Sequence, residues 1–237
     1  MNRKVKKPLP TWLLLLVGAL LVLQFAGLGA WQISRGFEKR AAQIAYQGET
    51  GFKAWQDGMP VLSFQRLQAS GRYDGEHQVV LDNIILNNRY GYYVVTPLEV
   101  AAGKPLLLVN RGWIEKAGDG LNAGRLELPD GELSVRGRAG SLPKAGYKMG
   151  DAFEAAREWP MHAVYPSPEE VAAALGRDIQ PFVLLLDPEE DHGFLRRWAP
   201  SQIGPGRHFA YALQWFAMGA VLSGLLVWNY RKKRFDA

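Results

Sequence analysis

The chemistry open to this chain starts from four histidines, because it contains no cysteine. That absence removes disulfide frameworks, thiolate zinc sites, iron–sulfur clusters and Cys-based copper relays. His77, His162 and His192 lie in unrelated segments with no metal-ligand spacing among them, and each reads as a surface or packed residue. His208 is different. It follows Gly204-Pro205-Gly206-Arg207 at the head of an uncharged run. On a helix, His208, Tyr211 or Ala212, Trp215 and Gly219 recur at i, i+3 or i+4, i+7 and i+11, on one face. An imidazole above a ring-lined stripe has two readings. One is an axial ligand for a haem whose macrocycle packs on Tyr211 and Trp215 while Arg207 pairs with a propionate. The other is an interfacial histidine within an aromatic belt, which physical chemistry alone favours.

No other catalytic machinery is legible. The sequence has no GxSxG elbow, no P-loop, no HExxH and no GxGxxG after a strand. Its carboxylate pairs, Glu169-Glu170 and Glu189-Glu190-Asp191, fall in a polar helix start and a turn, where solvated charge explains them. The expectation is a binding protein rather than an enzyme.

The elements that must position His208 are two apolar runs. From Pro8 to Ser34 there is no ionisable side chain, and residues 11–33 are long enough to cross a hydrocarbon layer of about 30 Å as a helix. Gly27 and Gly29 would pass as a signal-peptide cleavage site, but the run is well beyond the ordinary length of about 7 to 15 apolar residues. A membrane anchor is the better reading. Residues 209–230 form a second uncharged run, followed at once by Arg231-Lys232-Lys233-Arg234. Trp12 and Trp31 bracket the first run, and Tyr211, Trp215, Trp228 and Tyr230 mark the ends of the second, as interfacial aromatics do. Ala26 and Ala30 on one span and Ala220 and Gly224 on the other are the small residues expected to let the helices pack closely.

Net charge supports this layout. Eight of the 28 basic residues and one of the 23 acidic residues lie in the two tails, so residues 8–230 carry 20 basic and 22 acidic side chains. A pI near 9.4 therefore reflects the tails, and no nucleic-acid surface is expected on the folded part. Basic clusters against both span ends place both termini in the cytoplasm of a two-pass protein of the plasma (inner) membrane. The expected layout is a basic tail at 1–10, a span at 11–33, a periplasmic domain at 35–207, a span at 209–230 and a basic tail at 231–237. Residues 35–47 meet no breaker except Gly36 and should extend the first helix out of the bilayer.

The intervening residues read as mostly β. Runs rich in β-branched and aromatic residues at 63–73, 77–86, 90–100, 104–114, 132–139 and 181–187 alternate with turn signals. Asn87-Asn88 and Ala102-Gly103-Lys104 are hairpin-sized gaps, so the middle should be an antiparallel meander. Ser167-Pro168-Glu169-Glu170 is a capping box opening a helix that Gly176 ends. Residues 151–160 read as another short helix, and 117–131 and 140–151 as loops. The fold class is a membrane protein with two transmembrane α-helices flanking an extracytoplasmic β-rich α+β domain, an antiparallel barrel-like or sandwich-like sheet with short helices.

Several strings in this sequence resemble one family: Leu28-Gly29-Ala30-Trp31-Gln32 with Arg35 and Lys39, Gly91-Tyr92-Tyr93-Val94-Val95-Thr96-Pro97, Leu108-Val109-Asn110-Arg111-Gly112-Trp113, Gly131-Glu132-Leu133-Ser134-Val135-Arg136-Gly137, and Arg207-His208-Phe209-Ala210-Tyr211-Ala212-Leu213-Gln214-Trp215-Phe216. In this order, over nearly the whole chain, they resemble bacterial members of the surfeit-locus-one family of cytochrome c oxidase assembly factors. The resemblance implies a membrane-anchored assembly factor that assists haem a handling or insertion into the oxidase catalytic subunit. Implied partners are that subunit, other assembly or haem a synthesis proteins, and the lipid bilayer. It also implies that His208 contacts haem a, with iron as its metal, and moves the balance toward that reading. Gly206 stands where Asn is more usual. For Asn110, Arg111, Gly112 and Trp113 the resemblance implies no chemistry, and they read as fold or partner-surface residues. The alternative is a cofactor-free scaffold whose outer domain docks other membrane proteins.

Overall fold

Thr11–Gly48 forms one uninterrupted helix, α1. At 1.5 Å per residue its 38 residues reach about 57 Å, so it outruns the hydrocarbon layer, as the run of helix formers after Ser34 implies. The computed structural model describes residues 10–48, 51–116, 126–144, 150–153, 158–198 and 204–235. Pro205–Phe235 forms the last helix. Both terminal helices are long and apolar enough to cross a membrane. The chain falls into two compact units: a helix pair, up to Ile44 and from Pro200 onward, and a sheet unit, Ala45–Ala199.

In the sheet unit the strands are β1 (Lys53–Ala54), β2 (Arg66–Tyr73), β3 (Val79–Leu86), β4 (Arg89–Glu99), β5 (Leu106–Glu115), β6 (Glu132–Gly140), β7 (Met161–Ala163) and β8 (Ile179–Leu186), with helix α2 (Pro168–Leu175) before β8. The terminal helix Pro205–Phe235 is α3. The strand order is β1-β2-β6-β8-β5-β4-β3-β7. β3, β4 and β5 form the expected antiparallel meander. Asn87 and Asn88, both with positive φ (52° and 60°), make the two-residue turn between β3 and β4 that matches strand twist.

Two features exceed the antiparallel expectation. The pairs β1–β2, β3–β7 and β5–β8 are parallel, so the sheet is mixed. β2 also reaches β4 through Arg72↔Glu99 and Tyr73↔Leu98, which curls the sheet toward a ring without fully closing a barrel. β5 is buried on both faces from Leu106 to Ile114, because it lies between β4 and β8 in the middle of the order. A continuous apolar run followed by buried polar groups is the mark of such a central strand. β2 alternates instead, with Leu67, Ala69, Gly71 and Tyr73 inward.

The capping box is present in full. Ser167 Oγ accepts from the Glu170 N–H at 3.3 Å, Glu170 Oε2 accepts from the Ser167 N–H at 2.8 Å, and Gly176 ends α2 with φ 64°. The expected helix at 151–160 is corrected at both described ends. Phe153 makes a β-bridge to Ala163, and Glu158–Pro160 are not helical, because this segment is drawn along the edge strand β7. Its middle, 154–157, lies outside the described residues, as do 117–125 and 145–149 of the loops expected at 117–131 and 140–151.

Candidate functional site

The helix pair builds its contact from glycines on α1 and side chains on α3. A Cβ added at Gly18 would meet Leu226 at 2.6 Å, at Gly29 the Phe216 ring at 2.7 Å, and at Gly36 the Phe209 ring at 2.6 Å. The spacings of eleven and seven residues keep all three on one side of the helix. The expected seam of Ala26, Ala30, Ala220 and Gly224 is corrected: all four are exposed. An alanine leaves its methyl between backbones, whereas these three glycines each seat a side chain of α3.

On α3 the stripe anticipated from the spacing divides. His208 and Trp215 are half-buried and Ala212 (3% exposed) and Gly219 are buried, so this face lies on α1. Trp215 packs against Phe25, ring centroids 5.7 Å apart. Tyr211 is on the neighbouring face, 52% exposed, and Arg207 is exposed at the helix start.

His208 meets Gln32 of α1: Nδ1 lies 2.8 Å from Gln32 Oε1. An amide oxygen only accepts, so Nδ1 carries the hydrogen and donates it. Among the described residues Nε2 has no hydrogen-bond partner, and it is not a buried, unpartnered atom. The site thus offers one open imidazole nitrogen, an exposed arginine and an exposed phenol ring, with Trp215 two turns deeper. Those groups fit a metal macrocycle held by one axial nitrogen. Among the described residues no three His, Asp or Glu side chains group as a site for a bare ion.

The other histidines are engaged elsewhere. His77 Nδ1 is 2.8 Å from Asp74 Oδ2 and its ring meets Trp159. His162 lies edge-on to Tyr92. His192 Nε2 is 3.1 Å from the Tyr73 hydroxyl, and burial lowers its pKa while raising that of Tyr73.

His192 also borders a buried cation that sequence reasoning left without a role. Arg111 is 2% exposed, and among the described residues its hydrogen bonds all go to neutral acceptors: Nε to the His192 carbonyl, Nη1 to Gln78 Oε1 and the Leu126 carbonyl, and Nη2 to the Glu127 carbonyl, at 3.0–3.1 Å. Phe194 covers the guanidinium. Burial lowers its pKa to about 10. Its neighbours complete one device. Asn110 Oδ1 accepts from the Gly112 N–H, and Gly112 has φ 115° where a Cβ would strike the backbone of Phe194 and Leu195 at 3.0 Å. Trp113 is buried with its indole N–H donating to the Ile84 carbonyl. Asn110 to Trp113 therefore fasten the segments at 126–127 and 192–195 onto β5.

The carboxylate pairs are tied into structure. Glu170 serves the cap of α2, and Glu190 accepts from Arg136 at 2.7 Å. An open cleft of about 640 Å³ lined by Arg72, Asp74, Glu76, Glu99, Asp130 and Arg177 mixes both signs, with Arg177 and Glu99 already paired at 3.0 Å.

Gln32 is the residue the sequence reading quoted without using. Its signal was an amide near the end of an uncharged span that also holds Gln24, and its partner, 176 residues away, was not visible from one helix.

Comparison with curated proteins gives no match. The model of the SURF1 family matches residues 19–220, which takes in most of both spans and the whole sheet unit. That match covers well over half of the chain, and the chain belongs to the SURF1 family, a family associated with cytochrome c oxidase assembly.

Proposed function

We propose that this chain handles haem a during maturation of the oxidase catalytic subunit, holding it at the outer end of α3 through His208. The observation that carries the reading is the open Nε2 of His208, with Nδ1 already donating to Gln32. Arg207 answers a propionate, Tyr211 packs on the macrocycle, and Trp215, held by Phe25, backs the site from below. Bound haem a would supply the iron centre, and the chain's part is to bind, orient and release it. The reading makes the chain a binding protein rather than an enzyme, with the catalytic subunit and haem a synthesis or other assembly proteins as partners. The basic tails set both termini in the cytoplasm and the sheet unit in the periplasm.

A second reading, a cofactor-free scaffold, draws support from Ile85 and Tyr90. They stand opposite each other near the β3–β4 turn, 58% and 63% exposed.

The test is purification in mild detergent from cells that make haem a. A haem a absorption spectrum with the oxidase subunit in the same fraction is expected. A colourless protein would contradict the haem reading and favour the scaffold. Reporter insertions at Gly103, an exposed turn glycine, should be active only outside the cytoplasm, and fusions after Ala237 only inside.

A further inference from the structure

We propose that Gln32 is the positioning residue of the helix-pair site: it selects the His208 tautomer that leaves Nε2 as a lone-pair donor and holds the ring in one orientation. This rests on the haem reading of His208 for its consequence, but the tautomer itself does not.

The physical argument begins with proton count. A neutral imidazole has one N–H, and in solution it divides between the two nitrogens. At 2.8 Å from an acceptor-only amide oxygen, that hydrogen is fixed on Nδ1. Nε2 is then an acceptor by elimination, and with no partner among the described residues it is free to bind a metal. Metal-bound histidines generally donate their other N–H to a carbonyl or carboxylate, which fixes the ring and raises its basicity. Loss of that partner typically costs 10- to 100-fold in affinity.

Packing on either side of Gln32 explains why the bond is held. Gly29 and Gly36 lie three and four residues away on the same face of α1, and receive the rings of Phe216 and Phe209. Two ring-in-glycine seats, one on each side along the helix, fix the sliding register of α1 against α3. In that register the Gln32 amide, too short to reach a distant partner, meets His208. A lone amide at this depth also gains from finding a donor in apolar surroundings.

The proposal is tested on the full chain in detergent. Histidine-selective ¹⁵N NMR without haem, with the His208 signal identified by its loss in His208→Ala, should show a protonated Nδ1 and a bare Nε2. Gln32→Leu should shift that signal toward the Nε2–H form. Titration with purified haem a should show 10- to 100-fold weaker binding for Gln32→Leu. Gln32→Glu, which keeps an acceptor, should retain tight binding and lower the midpoint potential of the bound iron. An unchanged tautomer and affinity in Gln32→Leu, with His208→Ala abolishing binding, would overturn this role and leave the haem reading standing. Unchanged binding in His208→Ala would overturn the haem reading, while the tautomer experiment would still decide the role of Gln32.

Discussion

Arg111 in the sheet unit and His208 in the helix pair are both polar side chains set among apolar neighbours, and the fold treats them in opposite ways. Arg111 places four of its five N–H donors, across all three guanidinium nitrogens, on neutral carbonyl and amide oxygens. His208 has one ring nitrogen filled and the other open. A polar group engaged in this way has a structural value, since buried donors and acceptors are costly when unmet. A group satisfied on one side only is constrained yet available. The contrast separates residues that hold this chain together from residues that can act on something else, though both lie within the residues that match the family.

If the contrast is right, substitutions in the sheet unit lower stability without touching haem, and those in the helix pair do the reverse. The largest effect is expected for Trp113→Ala, which empties a buried ring site and strands the Ile84 carbonyl. It should lower unfolding free energy by about 3–5 kcal/mol, read by denaturant titration of the full chain in detergent. An unchanged midpoint would mean that the ring is a docking contact. Arg111→Met should cost about 3 kcal/mol, because the acceptors left unpaired outweigh the relief of no longer burying a cation. A neutral result would show that the cation, rather than its hydrogen bonds, sets the energetics there.

In the helix pair, Gly29→Leu drives a side chain into the Phe216 seat and should cost about 1–3 kcal/mol of helix–helix packing. The sheet unit's unfolding should be unaffected. Haem a retention should fall, since the register that joins Gln32 to His208 is disturbed. Retention equal to the parent would uncouple the glycine seats from the site.

The smallest effect is a pH dependence. Burial first, with Arg111 and Arg196 nearby, lowers the pKa of His192, while Glu190 and Asp191 oppose that shift. The unfolded chain then binds more protons than the folded one just below the ordinary histidine value of about 6.5. Stability contributed by neutral His192 is present above that value and is lost as pH falls through the lowered folded pKa. Acidification from neutral pH should destabilise the sheet unit, and His192→Gln should flatten the slope. An equal slope in the variant would assign the dependence to other groups.

Much of this was legible in the sequence. Six strands stand where alternation and turn residues placed them, and Ser167 to Gly176 spelled out α2 with its caps. What was not legible has physical causes. β1 and β7 have two and three residues, too few for a period of two to register. Their parallel partners are set by the route of the chain, which local pattern does not encode. On a membrane helix the lipid-facing and partner-facing sides are both apolar, so Ala26 and Ala30 looked as suitable as Gly29 and Gly36. The choice between them depended on rings of the other helix. His208 was found from its place at a span end, whereas Gln32 became part of the site only when the two helices were side by side.

The central claim is that His208 is the chain's contact to haem a, and one spectrum tests it most directly. Protein carrying His208→Ala, purified from haem a-producing cells beside the parent, should insert normally and keep its sheet-unit stability, because one interfacial side chain contributes little to insertion. Its haem a bands should be absent or strongly reduced. An unchanged haem a spectrum at parental stoichiometry would contradict the account and return His208 to the aromatic belt.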